Sequence, residues 1–155
     1  MGKITHIPNG PLVDSQLSSQ GPFTAYVKNS KWDNYAVEFD VKQLVPTGYG
    51  LGILVRRQSD TNYVALRLRE SFGCGSRWVI VKEGNETVVV NSELKYDCAG
   101  HYRIEVQGSR YKLFKDGSEL FVFNNNAFAN GGVGLKSQDD SLTFAIEKFK
   151  VVRLR

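Results

Sequence analysis

Helical periodicity is missing from this sequence: nowhere do apolar residues recur at three- and four-residue spacing over a sustained stretch. Long apolar runs are missing too. None approaches the ~20 residues that a helix needs to cross a bilayer, so insertion of a helix into a membrane is not expected. Histidine is scarce, and His6 and His101 lie far apart with no metal-type spacing. The only cysteines, Cys74 and Cys98, do not form a Cys-x-x-Cys pair, and there is no Gly-x-Ser-x-Gly. No helix pattern follows the glycine-rich stretches, which excludes a phosphate loop. These absences argue against zinc sites, serine hydrolases and nucleotide-binding loops, so no catalytic residue is expected and no metal ligand set can be named.

Charge of one sign is also undersupplied. The chain of 155 residues carries 20 Lys and Arg against 16 Asp and Glu, for a net charge of +4. The basic residues are scattered and never form a long run, so nucleic acid is not the expected partner. This length suits one domain spanning 1–155, which buries roughly 70% of the surface of its unfolded form. The segment from Met1 to His6 lacks the apolar core of a secretory signal, and His6 breaks the myristoylation pattern. Any export signal is therefore expected either never to have been present or to have been removed.

What the sequence does have, repeatedly, is period-2 alternation between short Gly, Asn, Asp or Ser clusters, which predicts an all-β protein. Val37, Phe39 and Val41 alternate with Glu38, Asp40 and Lys42. Leu51, Ile53 and Val55 alternate with Gly52, Leu54 and Arg56, and Val64, Leu66 and Leu68 with Tyr63, Arg67 and Arg69. Val79 and Val81 lead through Glu83-Gly84-Asn85-Glu86 into Val88 and Val90, a hairpin with an expected Gly-Asn centre. A three-strand meander follows over Tyr102–Val106, Tyr111–Leu113 and Leu120–Val122, turning at Gln107-Gly108-Ser109 and Lys115-Asp116-Gly117. Val133 and Leu135 mark a short strand. In the last strand the apolar parity shifts from Leu142, Phe144 and Ile146 to Phe149 and Val151, which predicts a β-bulge at Glu147-Lys148. Residues 1–31, interrupted by Pro8, Pro11 and Pro22, read as an irregular edge strand and a connecting loop.

The order of these pieces resembles the concanavalin A-like lectin and glucanase superfamily, particularly its small carbohydrate-binding modules and laminin-G-like units. The resemblance runs from about Trp32 to Leu154. It is carried by Trp32-Asp33-Asn34-Tyr35-Ala36-Val37-Glu38, Gly52-Ile53-Leu54-Val55-Arg56, Asn62-Tyr63-Val64-Ala65-Leu66-Arg67-Leu68, Tyr102-Arg103-Ile104-Glu105-Val106, Lys115-Asp116-Gly117 and Gly132-Val133-Gly134-Leu135. It implies a two-sheet antiparallel β-sandwich of jelly-roll type. The superfamily includes sugar binders, glycosidases, protein-binding domains and virion proteins, so the fold leaves the ligand open. Two departures stand out: His101 occupies a position where many relatives carry Trp, and Glu147-Lys148 replaces a frequent Asp-Asn, which argues against an inherited calcium site.

Glu38-Phe39-Asp40-Val41-Lys42 is similar to the Glu-x-Asp-x-Glu strand of retaining glucanases, but its final carboxylate is replaced by Lys42. One Glu cannot be both acid and nucleophile, so a glycosidase is the least favoured reading, and Glu38 or Asp40 is expected to pair with an arginine such as Arg56. If alternation holds, Arg56, Tyr63, Arg67, Arg69, Trp78 and Lys82 project together from one sheet. Aromatic rings offer a platform for the C–H face of a sugar, and arginine forks suit hydroxyls, carboxylates and sulfates. The expected function is therefore a non-catalytic carbohydrate-binding domain taking a glycan, acidic if these arginines meet it, on a concave sheet. Tyr26, Trp32 and Tyr49 could extend the platform. The competing expectations are that these side chains satisfy one another or lie under the N-terminal segment, and that the decorated face meets protein, other domains of a larger extracellular or virion assembly included. Asn124-Asn125-Asn126 and Asp139-Asp140 have oxygens that could hold a structural calcium ion, and Asn85-Glu86-Thr87 is a formal glycosylation sequon. Cys74 and Cys98 flank the hairpin, where a bridge and two buried thiols are both compatible with the pattern; a bridge would imply an oxidising, extracellular or secreted setting.

Overall fold

The computed structural model describes residues 4–5, 13–14, 17–20, 23–27, 31–44, 50–70, 73–94, 97–137 and 143–154. Among these residues the regular structure is strand: β1 Ile4–Thr5, β2 Val13–Asp14, β3 Leu17–Gln20, β4 Phe23–Tyr26, β5 Tyr35–Leu44, β6 Leu51–Ser59, β7 Asn62–Glu70, β8 Cys74–Lys82, β9 Asn85–Leu94, β10 Gly100–Gln107, β11 Arg110–Lys115, β12 Ser118–Asn124, β13 Gly132–Ser137 and β14 Thr143–Arg153. Apart from the small β1-β2 pair, they build two six-stranded sheets, ordered β12-β11-β10-β5-β14-β3 and β4-β13-β6-β7-β8-β9. The first is called here the β5 sheet and the second the β7 sheet. The all-β architecture expected from alternation and the two-sheet sandwich implied by the resemblance are what is found. The N-terminal region supplies an edge to each sheet, β3 to one and β4 to the other, rather than a single edge strand.

The core lies between the sheets because every long strand buries one parity. Val37, Phe39 and Val41 of β5 and Tyr102, Ile104 and Val106 of β10 face Leu51, Ile53 and Val55 of β6 and Val64, Leu66 and Leu68 of β7 in one buried cluster. Trp78 meets Tyr111 and Phe123 across the gap, with ring centroids 6.1 and 5.2 Å apart, while Tyr111 and Phe123 stack at 4.9 Å. Edge-to-face and offset contacts of this kind add to the area that these rings bury.

The hairpin turns follow backbone chemistry. Asp116 and Gly117 have φ of 50° and 84° between the paired residues Lys115 and Ser118, as a two-residue turn with positive φ at both centres requires. The β8–β9 turn is centred one residue earlier than expected: Glu83 and Gly84 carry φ of 52° and 80°, and Asn85 already pairs with Lys82 in the ladder. The bulge expected at Glu147-Lys148 is present as a register shift between Glu147 and Lys150, with Lys148 at φ 55° and Phe149 returned to the core. Cys74 and Cys98 are bonded, with Cα atoms 4.8 Å apart, so β8 of one sheet is tied to the segment entering β10 of the other.

Candidate functional site

The six side chains expected on one face separate into two groups. Tyr63, Arg67 and Arg69 share the outward face of the β7 sheet, where they lie opposite Val81, Arg77 and Gly75 of β8. Trp78 pairs with Leu66 and sits fully buried between the sheets, at 0% exposure. Lys82 has the same parity as Trp78 and lines a cavity of about 390 Å³ at the β8–β9 turn, with Glu83, Asn85, Thr87 and Asn125. The expectation for Trp78 and Lys82 fails because Trp78-Val79-Ile80-Val81 is apolar at every position, so alternation there carries no phase.

Arg56 also leaves that face. Its φ of 50° and the register shift after Val55 turn the side chain into the end of the sandwich, where it is 1% exposed. The guanidinium donates to the carbonyls of Phe128, Asp33 and Gly108 at 2.8, 2.7 and 2.8 Å. Its backbone N–H donates to the Tyr35 hydroxyl at 2.8 Å, and burial pushes that phenol well above the usual tyrosine range. A Cβ on Gly131 would come within 2.4 Å of the Arg56 carbonyl carbon at a φ of +150°, so glycine is required there. Arg56 is a structural clamp and does not pair with Glu38 or Asp40.

Around Tyr63, Arg67 and Arg69 the register places residues that alternation left unassigned. Thr24, Lys136, Gly52, Arg67, Arg77 and Asn91 stand side by side across all six strands. The neighbouring row is apolar: Tyr26, Gly134, Leu54, Ala65, Val79 and Val88. Leu54, Tyr63, Ala65, Val79 and Val81 are buried as a second cluster distinct from the main core. Over it, Lys136 Nζ donates to the Tyr63 hydroxyl at 3.3 Å and Arg67 pairs with Glu86 of β9. The hydrogen bond from Arg67, with Lys136 and Arg77 nearby, holds the Glu86 carboxyl below its usual range despite some burial. Tyr63 is only 2% exposed and Arg67 only 7%. The expected aromatic platform is therefore replaced by polar ends of long side chains above an apolar floor. Arg77, Lys136 and Glu86 were missed; reading Trp78 as core would have exposed Arg77 on the opposite parity.

Of the aromatics that could have extended the platform, half-buried Tyr26 lies under the Arg57 guanidinium, 3.7 Å from its ring centroid. Trp32 packs edge-on against Tyr35, with centroids 5.7 Å apart. Tyr49 lies outside the described residues, as do Asp139 and Asp140. Asn125 Oδ1 accepts the N–H of Ala127 at 2.8 Å. Among the described residues, the cluster of three metal-ligand types is Glu70, Cys74 and Cys98, whose sulfurs are joined to each other.

The Glu38-x-Asp40 carboxylates occupy the outward face of the β5 sheet. His101 bridges them, Nδ1 lying 2.6 Å from Asp40 Oδ1 and Nε2 3.2 Å from Glu38 Oε1. Lys150 and Arg103 approach Glu38 at 3.3 and 3.4 Å, and Lys148 and Lys42 approach Asp40 at 3.7 and 3.8 Å. The hydrogen bond to Asp40 raises the His101 pKa. Burial works to raise that of Glu38, but the contacts from His101 and Lys150 outweigh it and hold the carboxyl low. A cavity of about 280 Å³ opens beside Glu38, His101, Arg103, Glu105 and Phe114.

Comparison with known proteins places the architecture. No family model matches the chain, and no curated protein matches its sequence. Among solved structures it is similar to the carbohydrate-binding module CBM66 from Bacillus subtilis, with a TM-score of 0.71 at 16% identity over 88% of this chain and 85% of that one. It is also similar to sheep galectin-11, at 0.57 and 13% over 86% and 99%, and to a Bacillus licheniformis β-glucanase, at 0.62 and 11% over 99% and 83%. Identities this low speak for fold alone. The two packed antiparallel sheets and these likenesses agree, and the chain has the concanavalin A-like jelly-roll fold.

Proposed function

We propose that the chain is a non-catalytic, extracellular carbohydrate-binding domain that takes a glycan on the outward face of the β7 sheet. The observation that carries this reading is the convergence on that face of Tyr63, Arg67, Arg69, Arg77, Lys136 and Glu86 around an apolar floor. Sugars present hydroxyls at their rim and C–H groups on their ring faces. Fixed donors and acceptors beside small apolar side chains match both. The fold shared with a carbohydrate-binding module and a galectin supports it, and the Cys74–Cys98 bond supports an oxidising compartment.

Because a β-glucanase shares the fold, hydrolysis is the second reading. Against it, the paired carboxylates Glu38 and Asp40 lie on the opposite sheet and are each held by several cations. A glycosidic general acid needs a raised pKa, whereas Glu38 is shifted down.

A glycan array on the folded chain tests the proposal, with Arg69→Ala and Arg77→Ala alongside. Binding to a defined glycan class, weakened about tenfold or more by either substitution, is expected. Binding that both variants retain would move the site elsewhere, and a blank array would favour a protein partner in a larger assembly. Released reducing ends that disappear with Glu38→Gln would establish the enzymatic reading instead.

A further inference from the structure

The following inference rests on the glycan reading and narrows it to a ligand class. The Arg67 row has an unusual charge order. Lys136 and Arg67 stand two strands apart, with Gly52 between them, and Arg77 lies directly opposite Arg67. Like charges directly opposed on neighbouring strands repel. On the β5 sheet's outward face the comparable row reads Lys150, Glu38, Arg103, Phe114 and Glu119, so its neighbouring charges alternate in sign. The two rows thus differ in charge order: one alternates in sign between neighbouring strands, and the other sets cations next to one another, with Glu86 of edge strand β9 paired to Arg67.

Gly52 gives that charge a place to act. A side chain begun there would meet only ordinary neighbours, Lys136 O at 3.6 Å, Leu54 Cδ2 at 3.8 Å and Arg67 Cγ at 3.9 Å. Gly52 itself is buried, so what it provides is a row with no side chain between Lys136 and Arg67, with the Tyr63 hydroxyl beside Lys136. Glu86, reaching in from edge strand β9, already sits in the field of Lys136, Arg67 and Arg77. It occupies the region as a resident carboxylate. We propose that this row anchors an anionic group of the glycan, a sulfate ester or a carboxylate, seated over Gly52 between Lys136 and Arg67 and adjoining Arg77. Arginine forks match the paired oxygens of both groups, and lysine adds a point charge. Single-stranded nucleic acid carries the same charge but binds by stacking its bases on exposed rings. Here Tyr63 is buried, Trp78 is in the core and Tyr26 is covered by Arg57.

Titration calorimetry on the full chain tests this with a heparin-derived hexasaccharide, its desulfated uronate-bearing form, cellohexaose and a short single-stranded DNA. One or both anionic sugars should bind, losing about tenfold or more in affinity as salt rises from about 50 to 300 mM, with cellohexaose and DNA far weaker. Comparing the two anionic sugars assigns the seat to sulfate or to carboxylate. Gly52→Asp, which places a fixed carboxylate in the seat, should cost about ten- to a hundredfold, and isosteric Gly52→Asn only a few-fold. Glu86→Gln should raise affinity, since it removes the resident competitor. Thermal melts establish that each variant is folded.

Equal losses from Gly52→Asp and Gly52→Asn would overturn the charged seat. DNA binding as tight as the sulfated sugar would overturn the assignment to glycan. Cellohexaose binding that is indifferent to salt and to Gly52→Asp, but lost with Arg77→Ala, would leave the glycan reading standing and sink the anionic anchor. Absence of binding to any of the sugars would remove both.

Discussion

Arg56 carries a positive charge into a place that is 1% exposed, and its partners are backbone carbonyls, not a carboxylate. The three carbonyls come from the approach to β5, the β10–β11 turn and the segment before β13, so one side chain holds one end of the sandwich together. Lysine cannot reproduce a planar fork with several donors. Both Arg56→Lys and Arg56→Ala should therefore leave buried acceptors without donors, costing about 3 kcal/mol or more in chemical denaturation. A change below about 0.5 kcal/mol would mean that water takes over the carbonyls and that the clamp is incidental. Nothing in Leu54-Val55-Arg56-Arg57 announces this role. Alternation assigned Arg56 to the outer face, and only a positive φ, which a sequence does not display at an arginine, sends it inward.

At the scale of elements, the outward face of the β5 sheet makes a prediction in pH. His101 gains its proton more readily than an ordinary histidine, whose value is 6.5, and Glu38 holds its charge below the ordinary 4.5. A raised histidine contributes stability that is complete below its unfolded value and is lost as pH rises through the folded one. A lowered glutamate contributes stability present above its unfolded value and lost as pH falls through the folded one. The network should thus be strongest between 4.5 and 6.5. Lys42, Lys148, Lys150 and Arg103 face the same two carboxylates, and the His101 backbone N–H donates to Asp116 Oδ1, so loss of the imidazole proton weakens the network without dissolving it. Exposed pairs of this kind contribute at most about 1 kcal/mol. Melting temperature should accordingly fall by no more than about 4 °C on the alkaline side, and His101→Gln should flatten that limb and also weaken the acid one, where Lys150 and Arg103 still hold Glu38 low. An alkaline limb that persists in the variant would assign it to another group.

The same face shows what was legible beforehand. Strict alternation in Val37 to Lys42 and in Tyr102 to Val106 fixed which side of β5 and β10 is outward, and parity slippage after Ile146 located the bulge at Lys148. Asp116-Gly117 marked its turn through the positive φ that it tolerates. In β8 alternation carries no phase for a physical reason: both faces of Trp78-Val79-Ile80-Val81 are buried, one in the core and one in the floor of the cationic face. Three of the six proposed ligand contacts moved as a result of that stretch and of the backbone at Arg56.

At the scale of the whole molecule, the sandwich is closed mainly by apolar side chains, and one covalent link crosses between its sheets. Cys74 is the first residue of β8 and Cys98 precedes β10, separated by 24 residues in sequence. The Cys98 backbone N–H donates to Glu70 Oε2 at 2.9 Å, and the Tyr102 hydroxyl donates to its carbonyl at 2.7 Å, so both sheets hold the segment even apart from the sulfurs. Reduction would then act chiefly by restoring freedom to the unfolded chain. Closing a loop of this length is worth about 3.5 kcal/mol on the chain-entropy account, which for a domain of this size corresponds to roughly 7 to 14 °C in melting temperature. The paired Cys74→Ser and Cys98→Ser variant should melt lower by that amount yet stay folded at room temperature, because the apolar interface between the sheets is untouched. The Arg67 row lies on β4, β13, β6, β7, β8 and β9 and includes neither cysteine, so glycan affinity should be unchanged in the folded variant. Affinity that falls together with the bridge would show that the bridge holds the β7 sheet in the shape its ligand requires.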